Sequence, residues 1–333
     1  MVEQKDANLR APIPIENEAT IDSKSILPSY SEAVVNLQMD YLLNKKSILT
    51  KYLFKSKLTI SFCFVISSIV INHFIGDYLS AYNFRNGYWD GFIYLIKNND
   101  FFFQDLLSTV TGICFVFSLT GGLLFYNTYF LKEMSDEVPN NYDQYFGTDM
   151  KDYSQIELLS TSSTSKPNKS NKLNKLSSNE KKLVNKMKDN SYLIVYRSIP
   201  VAFILLQEEE SNKKTIKSSD EDTDKVDEAN NETLNFKVTS LGIRRIYIQS
   251  DMLLDLIGCQ IKKILENPNY KKIKNFNIQI ELYSFEEHDI KLLKKIGFKK
   301  LSESKLNDFL IGSIYGVTSQ IYELNIRIED IKK

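Results

Sequence analysis

Cysteine and histidine are nearly missing from this 333-residue chain, which has three of the first and two of the second. Cys63 and Cys114 stand in apolar runs and Cys259 lies far downstream, so no disulfide framework and no CxxC motif exists. His73 and His288 are too few and too scattered for a metal centre, and none is expected. Net charge is lacking too. Lys plus Arg and Asp plus Glu both number 42, which removes any overall pull toward nucleic acid. No cleaved leader is expected either, because the opening MVEQKDANLRAPIPIENEATIDSK has no apolar centre.

The absence with the largest consequence is that of charge from two long runs. Leu58 to Ile75 and Leu106 to Leu131 hold no Asp, Glu, Lys or Arg. Each is long enough as a helix to cross a hydrocarbon layer of roughly 30 Å. A core helix of a soluble protein rarely runs so far without a charged face. The pair therefore predicts a transmembrane hairpin over 57–132, joined by a loop over 76–105. Lys45, Lys46, Lys51, Lys55 and Lys57 precede the first run and Lys132 follows the second, whereas the loop has Arg85 and Lys97 against four aspartates. The positive-inside bias then places both termini in the cytosol and the loop on the luminal side. Aromatics in that loop, Trp89 among them, suit the headgroup level of a bilayer.

Within the second run, Thr111, Cys114, Ser118, Gly121 and Gly122 form a stripe of small residues. Small side chains let helix backbones approach closely, which matters where lipid provides no hydrophobic drive between helices. Two partners fit the stripe: the first helix of the same hairpin, or a helix of a membrane client.

Residues 1–28 are polar with three prolines and read as a disordered or extended arm. Over 29–56, Ala33, Val34, Leu37, Tyr41 and Leu42 recur at helical spacing. The reading is an amphipathic helix, packed on the downstream domain in preference to the membrane interface. Residues 133–190 read as a polar, basic linker. From 191 the pattern changes to an α/β domain running to 333. SYLIVYRSIPVAFILLQ reads as a hairpin turning at Ser-Ile-Pro, and 207–235 as a disordered acidic insertion. Then come a strand NFKVTSLGIRRIYI, a helix capped by Ser250 and stopped before Pro268, a strand NFNIQIELYSF, a helix EEHDIKLLKKIGF, and a last strand TSQIYELNIRI.

That order, with the strand ending in Leu-Gly-Ile-Arg-Arg and a later helix leading into Gly297–Phe298, resembles the GNAT acetyltransferase family. The expected fold class is thus a GNAT-like mixed α/β sheet beside a two-helix transmembrane hairpin. The resemblance implies a coenzyme A loop at Gln249–Leu254, where glycines let the backbone approach the pyrophosphate. Here Met252 and Leu254 stand where glycines belong, and Asp251 adds a negative charge. Glu286, Asp289, Leu292 and Leu293 occupy the second signature, with Leu293 in place of the proton-donating tyrosine. The expectation is a degenerate domain with no catalytic residue and no cofactor, in which Glu286 and the surface His288 are both dispensable.

The complete layout also resembles the fungal inorganic phosphate transporter accessory proteins of the phosphate-starvation pathway. That resemblance implies an endoplasmic reticulum membrane protein that lets a polytopic phosphate transporter enter COPII vesicles, with coat components as further partners. The alternative is a membrane-anchored, acetyl-CoA-dependent N-acetyltransferase.

Overall fold

The structure, a computed structural model, describes residues 21–81, 88–161, 178–209, 233–248, 250–270, 273 and 275–328. Its helices and strands fall into two compact units. The first contains segments up to Lys45, Leu131–Leu306 and Val317 onward; the second contains Lys46–Phe130 and Asn307–Gly316.

The first unit is built on a seven-stranded sheet: β1 (Ile21–Lys24), β2 (Ser191–Tyr196), β3 (Ile199–Glu209), β4 (Thr233–Ile243), β5 (Asn275–Tyr283), β6 (Lys299–Lys305) and β7 (Thr318–Arg327). Spatial order is β1-β2-β3-β4-β5-β7-β6, antiparallel throughout except for the parallel pair β4–β5. β3 is apolar from Ile199 to Leu206 because both its faces are covered. Leu193, Val195, Phe203 and Leu205 face one core, while Ile194, Ala202, Ile204 and Leu206 face the other. On the second face lie α9 (Met252–Glu266) and α10 (Glu287–Lys295), which bury Leu253, Leu256, Ile257, Ile264 and Leu293. The mixed α/β class read from the sequence is present, and so is the strand–helix–strand–helix order after 233.

Several expectations change on the first face. Residues 133–190 are not a linker in their described parts. α5 (Phe130–Glu137), α6 (Tyr142–Phe146), α7 (Met150–Thr161) and α8 (Ser178–Asn190) cover this side of the sheet. Phe146, Met150, Tyr153 and Met187 are buried among Leu193, Phe203 and Leu205. Without them those strand residues would face water, so burial overrides the polar composition. Residues 162–177 lie outside the described part. In its described part the arm, read as disordered or extended, is an edge strand, β1, and Tyr153 Oη donates to Ile26 O at 2.7 Å. α1 (Ser31–Lys55) is the helix read over 29–56, and Val34, Leu37 and Leu42 pack in this core.

Local details shift as well. The β2–β3 turn is Arg197–Ser198, both at positive φ (49° and 65°), the geometry of a two-residue hairpin turn; Ile199 and Pro200 already belong to β3. Ser250 does not cap α9: its hydroxyl donates to Tyr247 O and the cap position is Asp251. β6 was missed because KKLSESK has no apolar alternation. Glu303 holds it to β7 instead, accepting from Thr318 Oγ1 at 2.5 Å and Gln320 Nε2 at 2.9 Å. The acidic insertion is bounded more tightly than 207–235, since the strands reach Glu209 and resume at Thr233; residues 210–232 lie outside the described part.

In the second unit, α2 (Lys57–Ala81) and α4 (Asp100–Asn127) are long and apolar enough to cross a membrane. Only 17% and 11% of their most apolar windows are buried, which separates them from core helices of a soluble fold. Between them α3 (Tyr88–Asn98) packs Phe92 edge-on against Phe102, with Tyr78 on the same ring, and Tyr78 Oη donates to Asp105 Oδ2 at 2.8 Å. The joining segment is therefore partly helical, and its residues 82–87 lie outside the described part.

Candidate functional site

β4 and β5 stay in register only from Thr233–Lys237 against Asn275–Gln279. Beyond that point they separate around a cavity of about 1020 Å³, lined by Val238–Leu241 and Ile280–Tyr283, with α1 as a further wall. A parallel pair that opens leaves backbone groups without ladder partners, and these need other acceptors. Leu241 N–H donates to Gln38 Oε1 of α1 at 3.2 Å, and Tyr283 N–H donates to Glu286 Oε2 at 2.8 Å. Gly242 lets α1 come this near: a Cβ there would meet the Phe203 ring at 2.3 Å and the Leu37 backbone at 3.0 Å.

At one end of the cleft is a buried ion pair. Lys45 Nζ lies 2.9 Å and 3.1 Å from the two Glu286 oxygens, with the side chains 10% and 1% exposed. The same ammonium sits over the Tyr41 ring at 4.8 Å and the Tyr283 ring at 5.4 Å. Burial, reinforced by Glu286 nearby, pushes the Asp289 carboxyl up to about 7. Burial and the same carboxylate push the Tyr283 phenol up to about 12 and Tyr41 well above its usual range. Tyr41 Oη feels the Glu286 charge but has no hydrogen bond of acceptable geometry.

The positions singled out by sequence have mixed roles. Leu292 and Leu293 are core residues, His288 is exposed, and Asp289 is buried beside Glu286. At the start of α9, Asp251 is exposed, Leu253 is buried, and Met252 and Leu254 are half-buried; Gln249 lies outside the described part. Among the described residues no group of three His, Cys, Asp or Glu could hold a metal ion. Sequence reading missed the α1 wall of the cleft, although Gln38, Tyr41 and Lys45 share one face of that helix at spacings of three and four.

The small-residue stripe of α4 divides. Thr109, Thr120 and Leu124 are buried; Cys63 of α2 lies 3.8 Å from Thr120 Oγ1, and Val70 lies against Gly112. Gly121 is also occupied, with Phe54 beside it. Thr111, Cys114, Ser118 and Gly122 are exposed, and a Cβ on Gly122 would meet nothing within 4 Å.

The observed topology defines a class: a mixed α/β sheet domain in a chain with two helices long and apolar enough to cross a membrane. Several solved structures are similar to part of this chain at low identity. They include the ribosomal-protein-S18-alanine N-acetyltransferase of Escherichia coli (11% identity, 45% of this chain and 77% of that one, TM-score 0.30). Arabidopsis thaliana NAA60 is similar at 15% identity, over 44% and 83%, with TM-score 0.30. A GNAT-family acetyltransferase of Streptococcus pneumoniae is similar at 11%, over 46% and 78%, with TM-score 0.31. No curated protein matches the sequence. The chain belongs to the inorganic phosphate transporter chaperone Pho86 family, which it matches over residues 3–326.

Proposed function

We propose that the protein is a non-catalytic chaperone of the endoplasmic reticulum membrane that prepares a polytopic phosphate transporter for entry into COPII vesicles. Its hairpin spans the bilayer with both termini in the cytosol, and α4 receives a helix of the client. The observation that carries this reading is the division of the α4 stripe. Thr111, Cys114, Ser118 and Gly122 form a small, exposed surface left over after the hairpin has packed on Thr109 and Thr120. In lipid such a surface favours a close helix contact. Ser118→Phe and Gly122→Leu should each trap the transporter in the endoplasmic reticulum while leaving the level and location of the chaperone unchanged. Normal export of the transporter in both variants would refute the assignment.

The alternative, an anchored N-acetyltransferase, draws on the open cleft between β4 and β5. Against it stand Asp251 where an anionic cofactor would approach and Leu293 where a proton donor is needed. Calorimetry on the full chain in detergent should give no acetyl-CoA binding at sub-millimolar concentration, and micromolar affinity would favour the enzyme.

A further inference from the structure

Asn307–Gly316 joins β6 to β7, yet it is part of the compact unit that holds the hairpin. After Asp308 its residues Phe309–Gly316 carry no charge. The segment closes its own backbone bonds in one turn of π-helix, Phe309–Ile314. Ile311 N–H donates to Asp308 Oδ1 at 2.8 Å, Gly312 N–H to Asp308 O at 2.8 Å, and Tyr315 N–H to Leu310 O at 3.0 Å. Internal closure of this kind is what a segment needs before it can leave water. Ile311 is fully buried, but Phe309 is 75% and Ile314 45% exposed.

The position of the segment follows from Tyr315. Its Oη lies 2.8 Å from Thr59 Oγ1, and Thr59 gives its own proton to Leu53 O at 2.7 Å, so Tyr315 is the donor. Thr59 is in the first turn of α2, just after Lys55 and Lys57 and beside Leu58, Ile60 and Phe62, whose side chains are all more than half exposed. That is the level at which charge ends and the apolar surface of the span begins, where a tyrosine with one wet end is favoured.

We propose that Asn307–Gly316 is a third membrane contact, which inserts Phe309 and Ile314 into the bilayer interface beside the start of α2. Lipid is the occupant because Tyr315 ties the segment to the start of the span at Thr59, where Leu58, Ile60 and Phe62 are exposed as Phe309 and Ile314 are. The inference rests on the hairpin crossing the membrane, so its test carries a control for that reading.

In a chain whose only tryptophan is removed by Trp89→Phe, tryptophan is placed singly by Phe309→Trp, Ile314→Trp or Phe115→Trp. The last probes an exposed position midway along α4. Each full-length protein is reconstituted into phosphatidylcholine vesicles brominated near the top of the acyl chains. Blue-shifted emission from positions 309 and 314, lost with bromolipid and insensitive to aqueous iodide, is the expected result. Emission from 309 and 314 that iodide quenches and bromolipid does not, with position 115 still quenched by lipid, overturns the inference alone. Shielding from both quenchers means a protein contact and overturns it too. Failure of position 115 to respond to lipid removes the transmembrane hairpin, and this inference with it.

Discussion

Lys45 and Glu286 are 241 positions apart, and each is buried only because the other is there. Removing one partner of such a pair leaves an uncompensated charge and costs about 3–5 kcal/mol. Glu286→Ala also strips Tyr283 N–H of its acceptor, so it should lower the melting temperature of the full chain in detergent sharply, by size-exclusion thermal assay. The double change Lys45→Met with Glu286→Leu should cost less than either single change. Glu286 thus has a structural role that its place in the sequence did not suggest, and its loss is expected to cost stability, whereas His288 is exposed. Beside the pair, Asp289 titrates near 7, above its ordinary range. The stability supplied by its protonation is full below about pH 4 and is lost as pH rises through about 7. Asp289→Asn should accordingly stabilise the chain at pH 8, by on the order of 2 kcal/mol, and change little at pH 4. An equal effect at both values would contradict the buried carboxyl.

At the scale of elements, α1 and α4 each use one face for packing and leave another for a different purpose. α1 approaches β4 only because position 242 has no side chain. Gly242→Ala must push the helix or Phe203 aside, at about 1–3 kcal/mol of overpacking, and the same thermal assay should record it. On α4, Thr120→Phe should collapse hairpin packing and lower expression, whereas Ser118→Phe should leave expression intact. Equal loss of protein in the two variants would mean that both faces pack within the hairpin. β3 and β4 pair to Glu209 and Asn235, so the chain between them leaves and returns at adjacent points. Replacing 210–232 with a short Gly/Ser turn should keep the fold, because closure costs change by only about 0.6 kcal/mol per doubling of loop length. Loss of soluble, monodisperse protein in detergent would show that the insertion packs.

Over the whole molecule, the distribution of lysine makes a statement about orientation that net charge conceals. Lys45, Lys46, Lys51, Lys55 and Lys57 precede the apolar run of α2 and Lys132 follows that of α4, whereas residues 76–105 hold two basic residues against four aspartates. Tags at either end should be digested in sealed microsomes, while a tag placed between Ala81 and Tyr88 should be protected. Protection of a terminal tag would reverse the orientation and remove the cytosolic role proposed for the sheet domain. Membership of a transporter-chaperone family gives the client class.

Sequence alone determined whatever depends on neighbouring residues. Charge-free runs of membrane-crossing length, the helical stripe of α1 and the strand–helix alternation after 233 are all local patterns, set by 2- and 3.6-residue periods and by side-chain transfer to lipid or core. Tertiary structure decided what depends on partners distant in the chain. Polar α6–α8 entered the core because Leu193, Phe203 and Leu205 needed cover. β6 became a strand because Glu303 found Thr318 and Gln320. Gln38 supplied the acceptor that an opened β4–β5 pair lacked. The segment 307–316, which reads as an ordinary connection, joined the hairpin unit through Tyr315 and Thr59. A period along the chain tells which face is apolar; only the folded arrangement tells what that face meets.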